Sequence, residues 1–105
     1  MKLLKAIIRP EKVDDVVEAL EKAGYPAFTK LNIVGRGKQG GLQVGEIYYD
    51  ELPKTLLILA VGDDEYGEVI EIIKTAAYTG NVGDGKIFVQ PLVESYTIRT
   101  GEKEI

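Results

Sequence analysis

The 105-residue chain has no cysteine, no histidine and no tryptophan, and Ser95 is its only serine. Disulfides, thiolate nucleophiles, Ser-His-Asp and Cys-His triads, and imidazole or thiolate sites for zinc, copper or iron all need residues that are missing. What remains for catalysis is Asp, Glu, Lys, Tyr or a metal held by oxygen ligands, so a binding role is favoured over an enzyme. No apolar run reaches the roughly 18 residues of a membrane span, and the charged start Met1-Lys2-Leu3-Leu4-Lys5 is too short and interrupted for a signal peptide. The expected location is the cytoplasm, without membrane insertion. A basic excess is lacking too: 13 Lys and Arg stand against 17 Asp and Glu, a net charge of -4 that argues against general nucleic-acid binding.

What is present is ordinary for one soluble globular domain over residues 1–105, with 45% hydrophobic and 29% charged side chains. An apolar run over residues 3–8 predicts a strand. Pro10 then opens a helix on which Val13, Val16, Val17, Leu20 and Ala23 recur at helical spacing up to Gly24. Residues 27–34 alternate in part as a half-buried strand does, and Gly35 ends it. Residues 35–50 are polar and glycine-rich with no sustained period, a long loop returning into a central strand over residues 55–61. Gly62-Asp63-Asp64 supplies helix-start chemistry for a second helix carrying Tyr66, Val69, Ile70, Ile73 and Ala77, which stops before Gly80. Residues 86–90 predict a fourth strand and residues 96–99 a short fifth.

The order strand, helix, strand, long loop, strand, helix, strand is the α+β, ferredoxin-like βαββαβ order. On the third strand Leu56, Ile58 and Ala60 point one way and Leu57, Leu59 and Val61 the other, so both faces are apolar. Two helices cover only one face of a four-stranded sheet, which predicts a closed homo-oligomer burying the other.

Eight of the 12 glycines fall in two short segments, Gly35, Gly37, Gly40, Gly41 and Gly45 in the long loop and Gly80, Gly83 and Gly85 before the fourth strand. Gly35-Arg36-Gly37-Lys38-Gln39-Gly40 spells the dinucleotide pattern, but no amphipathic helix follows to receive a pyrophosphate. Residues 80–86 spell G-x-x-x-x-G-K, yet Ile87 stands where a P-loop needs Ser or Thr, and the segment runs from helix to strand. Two readings stay open for it: a phosphate nest of backbone N–H groups with Lys86, or a tight turn with a surface lysine. The long loop reads as a functional segment or as a mobile hairpin tip. Tyr48 and Tyr49 at its return offer a partner-contact surface, or packing on the neighbouring strand.

Five segments, Ala6-Ile7-Ile8-Arg9-Pro10, Gly35-Arg36-Gly37-Lys38-Gln39, Leu52-Pro53-Lys54, residues 79–88 and Ile98-Arg99-Thr100-Gly101-Glu102, together resemble the PII (GlnB-like) family of nitrogen-regulatory signal proteins over nearly the whole chain. The resemblance implies a ferredoxin-like trimer with ATP or ADP in the clefts between subunits. It also implies 2-oxoglutarate beside Mg-ATP at the base of the long loop between strands two and three, the T-loop. Carried over by position, Ile7, Thr29, Gly35, Gly37, Lys38 and Gln39 would line the nucleotide pocket, Gly83, Asp84, Gly85 and Lys86 would surround the phosphates, and Arg99 would reach phosphate in the shared cleft. Gln39 would help coordinate Mg2+. Gly37, Lys38, Gln39, Gly40 and Gly41 would complete the 2-oxoglutarate site, with Lys54 pairing with the distal carboxylate.

The departures from the family pattern are specific. Thr97 stands where many members carry a second arginine, Ile58 replaces a common adenine-side carboxylate, and Ile47 falls where the enteric-type proteins carry a modifiable tyrosine. The short loop with residues 44–54 looks most like the branch encoded with nitrogenase genes, whose members work with a paralogous PII subunit and inhibit the dinitrogenase component directly. The implied function is nitrogen-status signalling to nitrogenase; the alternative is regulation of an ammonium transporter or another nitrogen-assimilation enzyme. Two other ferredoxin-like functions fit less well. An acylphosphatase needs a phosphate-cradling loop where Arg9-Pro10 leads straight into a helix, and an RNA-recognition sheet needs aromatic residues where the central strands offer only Phe88.

Overall fold

The structure, a computed structural model, describes residues 1–37, 42–49 and 51–105, with the side chains of 42, 43 and 47–49 left aside. In chain order these form β1 (Lys2–Ile8), a 3-10 turn (Pro10–Lys12), α1 (Val13–Lys22), β2 (Thr29–Gly35), β3 (Leu42–Val44), β4 (Ile47–Tyr49), β5 (Leu52–Val61), α2 (Tyr66–Ala77) and β6 (Gly85–Pro91). The main sheet has the order β2-β5-β1-β6, every neighbouring pair antiparallel. This is the ferredoxin-like arrangement, with the ribbon β3-β4 inserted between its second and third strands.

Period-two alternation decides which side chains face the helices. Leu4, Ala6 and Ile8 of β1 and Leu57, Leu59 and Val61 of β5 are buried against Val13, Val16 and Leu20 of α1 and Val69, Ile73 and Ala77 of α2. Each fully buried Leu, Ile or Val contributes about 1.5–3 kcal/mol of transfer free energy, so this one layer carries the fold. A hydrogen bond of 2.8 Å from the Tyr25 hydroxyl to the Glu68 carboxylate ties the end of α1 to α2. The outer faces of the helices are acidic: Asp14, Asp15, Glu18 and Glu21 on α1, and Asp63, Asp64, Glu65, Glu68 and Glu71 on and before α2, are all exposed.

Among the described residues the opposite face of the sheet carries half-buried and exposed side chains, not a second layer. Leu3 and Ile7, Leu56 and Ile58, and Leu31 and Ile33 lie on it at facing register positions, together with Phe88. Leu31 and Phe88 are each 48% exposed.

Four local features differ from the sequence expectation. The first helix begins as a 3-10 turn at Pro10 and becomes α-helical only at Val13. Asp63 makes no cap for α2, which has no side-chain cap bond; its carboxylate lies 3.9 Å from the Lys2 ammonium instead. The long loop contains a two-stranded ribbon, Leu42–Val44 on Ile47–Tyr49, turning at Gly45-Glu46 with Gly45 at φ 61°. The fifth strand is absent: Tyr96 makes one isolated bridge to Lys103, because its only neighbour is the chain end folding back.

Candidate functional site

The register brings the sequence's glycine clusters together. Ile8 lies opposite both Thr55 and Gly85, and Gly35 lies opposite Leu52, so β1 and β2 end where β5 and β6 begin. The long loop and the loop before β6 therefore leave the sheet at the same end. Between them is a cleft of about 530 Å³ on the open face, lined by Ile7, Gly35, Arg36, Gly37, Lys54, Gly83, Gly85, Lys86 and Phe88.

The loop before β6 is shaped by Asp84. Its carboxylate accepts hydrogen bonds from the Thr79 hydroxyl, from the Thr79 and Gly80 N–H groups at 2.9 Å each, and from Arg9 Nε at 3.1 Å. These bonds, those from Thr79 foremost, hold the Asp84 carboxyl far below the usual carboxylate range. Gly85 completes the shape: at φ 114°, a Cβ on it would sit 1.8 Å from the Ile7 carbonyl oxygen, so only glycine allows β6 to approach β1 this closely.

Two cations converge on the same loop from the other side. Arg9 Nη2 donates to the Val82 carbonyl at 2.9 Å and Lys54 Nζ to the Gly83 carbonyl at 2.5 Å. A Cβ on Gly83 would meet Arg9 at 3.3 Å and Lys54 at 3.4 Å, so glycine leaves both side chains their room. Burial, and after it the Arg9 guanidinium, push the Lys54 pKa below the ordinary lysine value. Lys54 and Lys86, with Arg36, line an open cleft beside this glycine-rich turn, an arrangement suited to holding anionic groups by charge and backbone N–H donors, while Arg9 is paired with Asp84. The lining sets the cations Arg36, Lys54 and Lys86 beside Gly35, Gly37, Gly83 and Gly85.

Of the residues singled out from the sequence, Ile7, Gly35, Gly37, Lys54, Gly83, Gly85 and Lys86 line this cleft. Asp84 does not; it lines a separate depression of about 400 Å³ on the helix side, between α2 and β6. Its described contacts make it the pin of the loop. Thr29 and Arg99 lie outside the cleft, Thr29 where β2 starts opposite Ile58 and Arg99 in the exposed turn after Thr97. Lys38, Gln39, Gly40 and Gly41 fall outside the described residues, and Tyr48 and Tyr49 are described only as backbone of β4. Sequence reasoning assigned no role to Arg9, Arg36 or Phe88. Arg9 was legible in principle: as the residue after β1, its register extrapolates to a place beside Lys54.

The comparisons with known proteins agree with this fold. Residues 1–102 match the family model described as nitrogen regulatory protein P-II. A "Nitrogen fixation nifHD region GlnB-like protein 1" of Methanothermococcus thermolithotrophicus is 70% identical over 105 residues, covering 100% of both chains. A "Nitrogen fixation nifHD2 region GlnB-like protein 1" of Methanosarcina barkeri is 52% identical over 103 residues, 98% of each. The "Nitrogen regulatory protein GlnK" of Escherichia coli is 44% identical over 108 residues, 99% of this chain and 96% of that one. With the fold, the glycine loops and a match over nearly its full length in accord, the chain belongs to the P-II family of nitrogen regulatory proteins.

Proposed function

We propose that this protein reports nitrogen status by binding ATP or ADP together with 2-oxoglutarate in the cleft, and that it acts on its target through the long loop that starts there. The observation that carries the reading is that Arg9 and Lys54 bond the Val82 and Gly83 carbonyls while Lys54 and Lys86 line the cleft at the root of the long loop. Phosphates fit the Gly83 to Lys86 turn, and a dicarboxylate fits beside Lys54. Arg9 and Lys54 now spend hydrogen bonds on the Val82 and Gly83 carbonyls, so an arriving anion competes for the groups that hold the loop. The protein's share of a Mg2+ site would be Gln39; bound with ATP, the ion would link phosphate and keto acid electrostatically. Ligand binding then shifts the long loop only to the extent that it favours one loop arrangement over another.

The apolar open face calls for further copies of the chain, and a homotrimer, alone or with a paralogous subunit, would bury it. Relatives named for the nitrogen-fixation nifHD region support the nitrogenase component as the target. The test is calorimetric titration with Mg-ATP, with and without 2-oxoglutarate. Positive coupling of about 1–3 kcal/mol is expected, most of it lost in Gln39→Ala with ADP binding kept. Independent binding of the two ligands would refute the shared site. Inhibition of purified nitrogenase, relieved by 2-oxoglutarate, checks the target.

A further inference from the structure

Residues 95–104 form a closed device of their own. The Thr97 N–H donates to the Glu102 carbonyl at 2.9 Å, the Gly101 N–H to the Thr97 carbonyl at 2.8 Å, and the Glu104 N–H to the Ser95 carbonyl at 2.8 Å. Residues 98–101 make the turn, with Gly101 at φ 73°. A hairpin this small has no core and is marginal in water by itself. Here side chains reinforce it: the Glu104 carboxylate accepts the Thr97 hydroxyl on one oxygen and the Ser95 hydroxyl, at 3.4 Å, on the other. Ser95 and Thr97 are half-buried in this clasp, whereas Ile98, Arg99 and Thr100 at the tip are exposed.

Arg99 at the tip is not among the described residues that line the cleft of its own subunit. We propose that Glu104 is a positioning residue: by clasping Thr97 and Ser95 it fixes the hairpin so that Arg99 is presented in one orientation to the phosphates of a nucleotide in the cleft of an adjacent copy. This rests on the nucleotide-binding reading above. With one arginine on the hairpin and Thr97 committed to the clasp, affinity depends on how little ordering that arginine must undergo on binding, which is what a pre-formed turn reduces.

The sign of the effect separates positioning from plain electrostatics. Glu104 is negatively charged and close in sequence to Arg99, so removing it should strengthen phosphate binding if charge alone mattered. Positioning demands the opposite. In ATP titrations, Glu104→Ala should weaken binding about tenfold, or about 1.4 kcal/mol. Thr97→Val should do the same, and the double variant should be no worse than either. In an Arg99→Ala background, Glu104→Ala should cost nothing further, because its route of action is gone. Without nucleotide, trypsin should cut after Arg99 faster in Glu104→Ala than in the parent. Affinity that is unchanged or improved in Glu104→Ala, or losses that add to that of Arg99→Ala, would overturn the inference while leaving nucleotide binding by the parent intact. A parent protein that binds no ATP would instead remove the functional reading, and this inference with it.

Discussion

Replacing Gly85 by alanine tests how the phosphate-side loop is built. A Cβ at this position would stand 1.8 Å from the Ile7 carbonyl oxygen and 2.9 Å from its carbon, where real contacts stay beyond 3.0 Å. Strand β6 would have to move away from β1 by more than an ångström at its first residue, breaking the Ile8–Gly85 pairing. The left-handed backbone at φ 114° adds conformational strain of about 1–3 kcal/mol, and each ladder hydrogen bond lost about 0.5–1.5 kcal/mol. The total is about 3 kcal/mol, a fall in melting temperature of roughly 10–20 °C for a chain of this length. Gly24→Ala is the control, because Gly24 shares the positive φ, at 94°, but nothing lies within 4 Å of its Cβ position, so it carries only the backbone part. Calorimetric melting of the two variants side by side decides the matter. If Gly85→Ala melts no lower than Gly24→Ala, the close approach to Ile7 is not what fixes the loop. Because Lys86 follows directly, the Gly85 variant should also lose ATP affinity in calorimetric titration where the Gly24 variant keeps it.

The remaining predictions concern the effector and the open face. Lys54→Met keeps the aliphatic stem but loses the ammonium, and should weaken 2-oxoglutarate binding at saturating Mg-ATP by about 2 kcal/mol, roughly 30-fold, the low end for a charged partner because Lys54 is only half-buried. A variant that still binds 2-oxoglutarate normally would remove Lys54 from the site. On the proposed pairing the ligand's carboxylate would meet a protonated Lys54, whose pKa the free protein holds below the ordinary lysine value, so 2-oxoglutarate affinity should start to fall at a pH below that of an ordinary lysine as pH rises, and titrations across alkaline pH should show it. Leu56→Glu places a charge in the middle of the uncovered sheet face, and sedimentation should then show monomers where the parent sediments as a trimer; an unchanged trimer would mean that another surface joins the copies.

The fold was legible because the pattern on β5 is unambiguous. Leu57, Leu59 and Val61 fall on one face and Leu56, Ile58 and Ala60 on the other, and the structure buries the first set against the helices while Leu56 and Ile58 stay half-buried and Ala60 exposed. Boundaries were harder where tertiary pairing overrules local chemistry. The apolar pattern starts the central strand at residue 55, yet β5 begins at Leu52, since Pro53 pairs with Val34 beyond the point where β1 pairs with β5, and its missing N–H deprives no ladder to β1. The β3-β4 ribbon could have been read from Leu42, Val44, Ile47 and Tyr49 around Gly45-Glu46, but its short runs are submerged in a glycine-rich stretch. Glycine spacing pointed to the two loops that flank the cleft, while the contacts of Arg9 needed the sheet register. Asp84 shows the limit of reading a site from a motif: adjacency in sequence to Gly83 and Gly85 says nothing of which way a carboxylate turns.

Nine of the 17 acidic residues sit on or just before the helices, while Lys54 and Lys86 stand at one end of the opposite sheet face beside Arg9, itself paired with Asp84, so the molecule is electrically polar beyond what its net charge of -4 conveys. Fields in physiological salt decay over about 8 Å, so an approaching nucleotide or dicarboxylate feels the local cations of the cleft before the carboxylates on the far side of the sheet. A net-negative protein can thus draw in negative ligands, and orient them as they come. Added salt should therefore slow their association, although repulsion between net charges alone would have salt speed it.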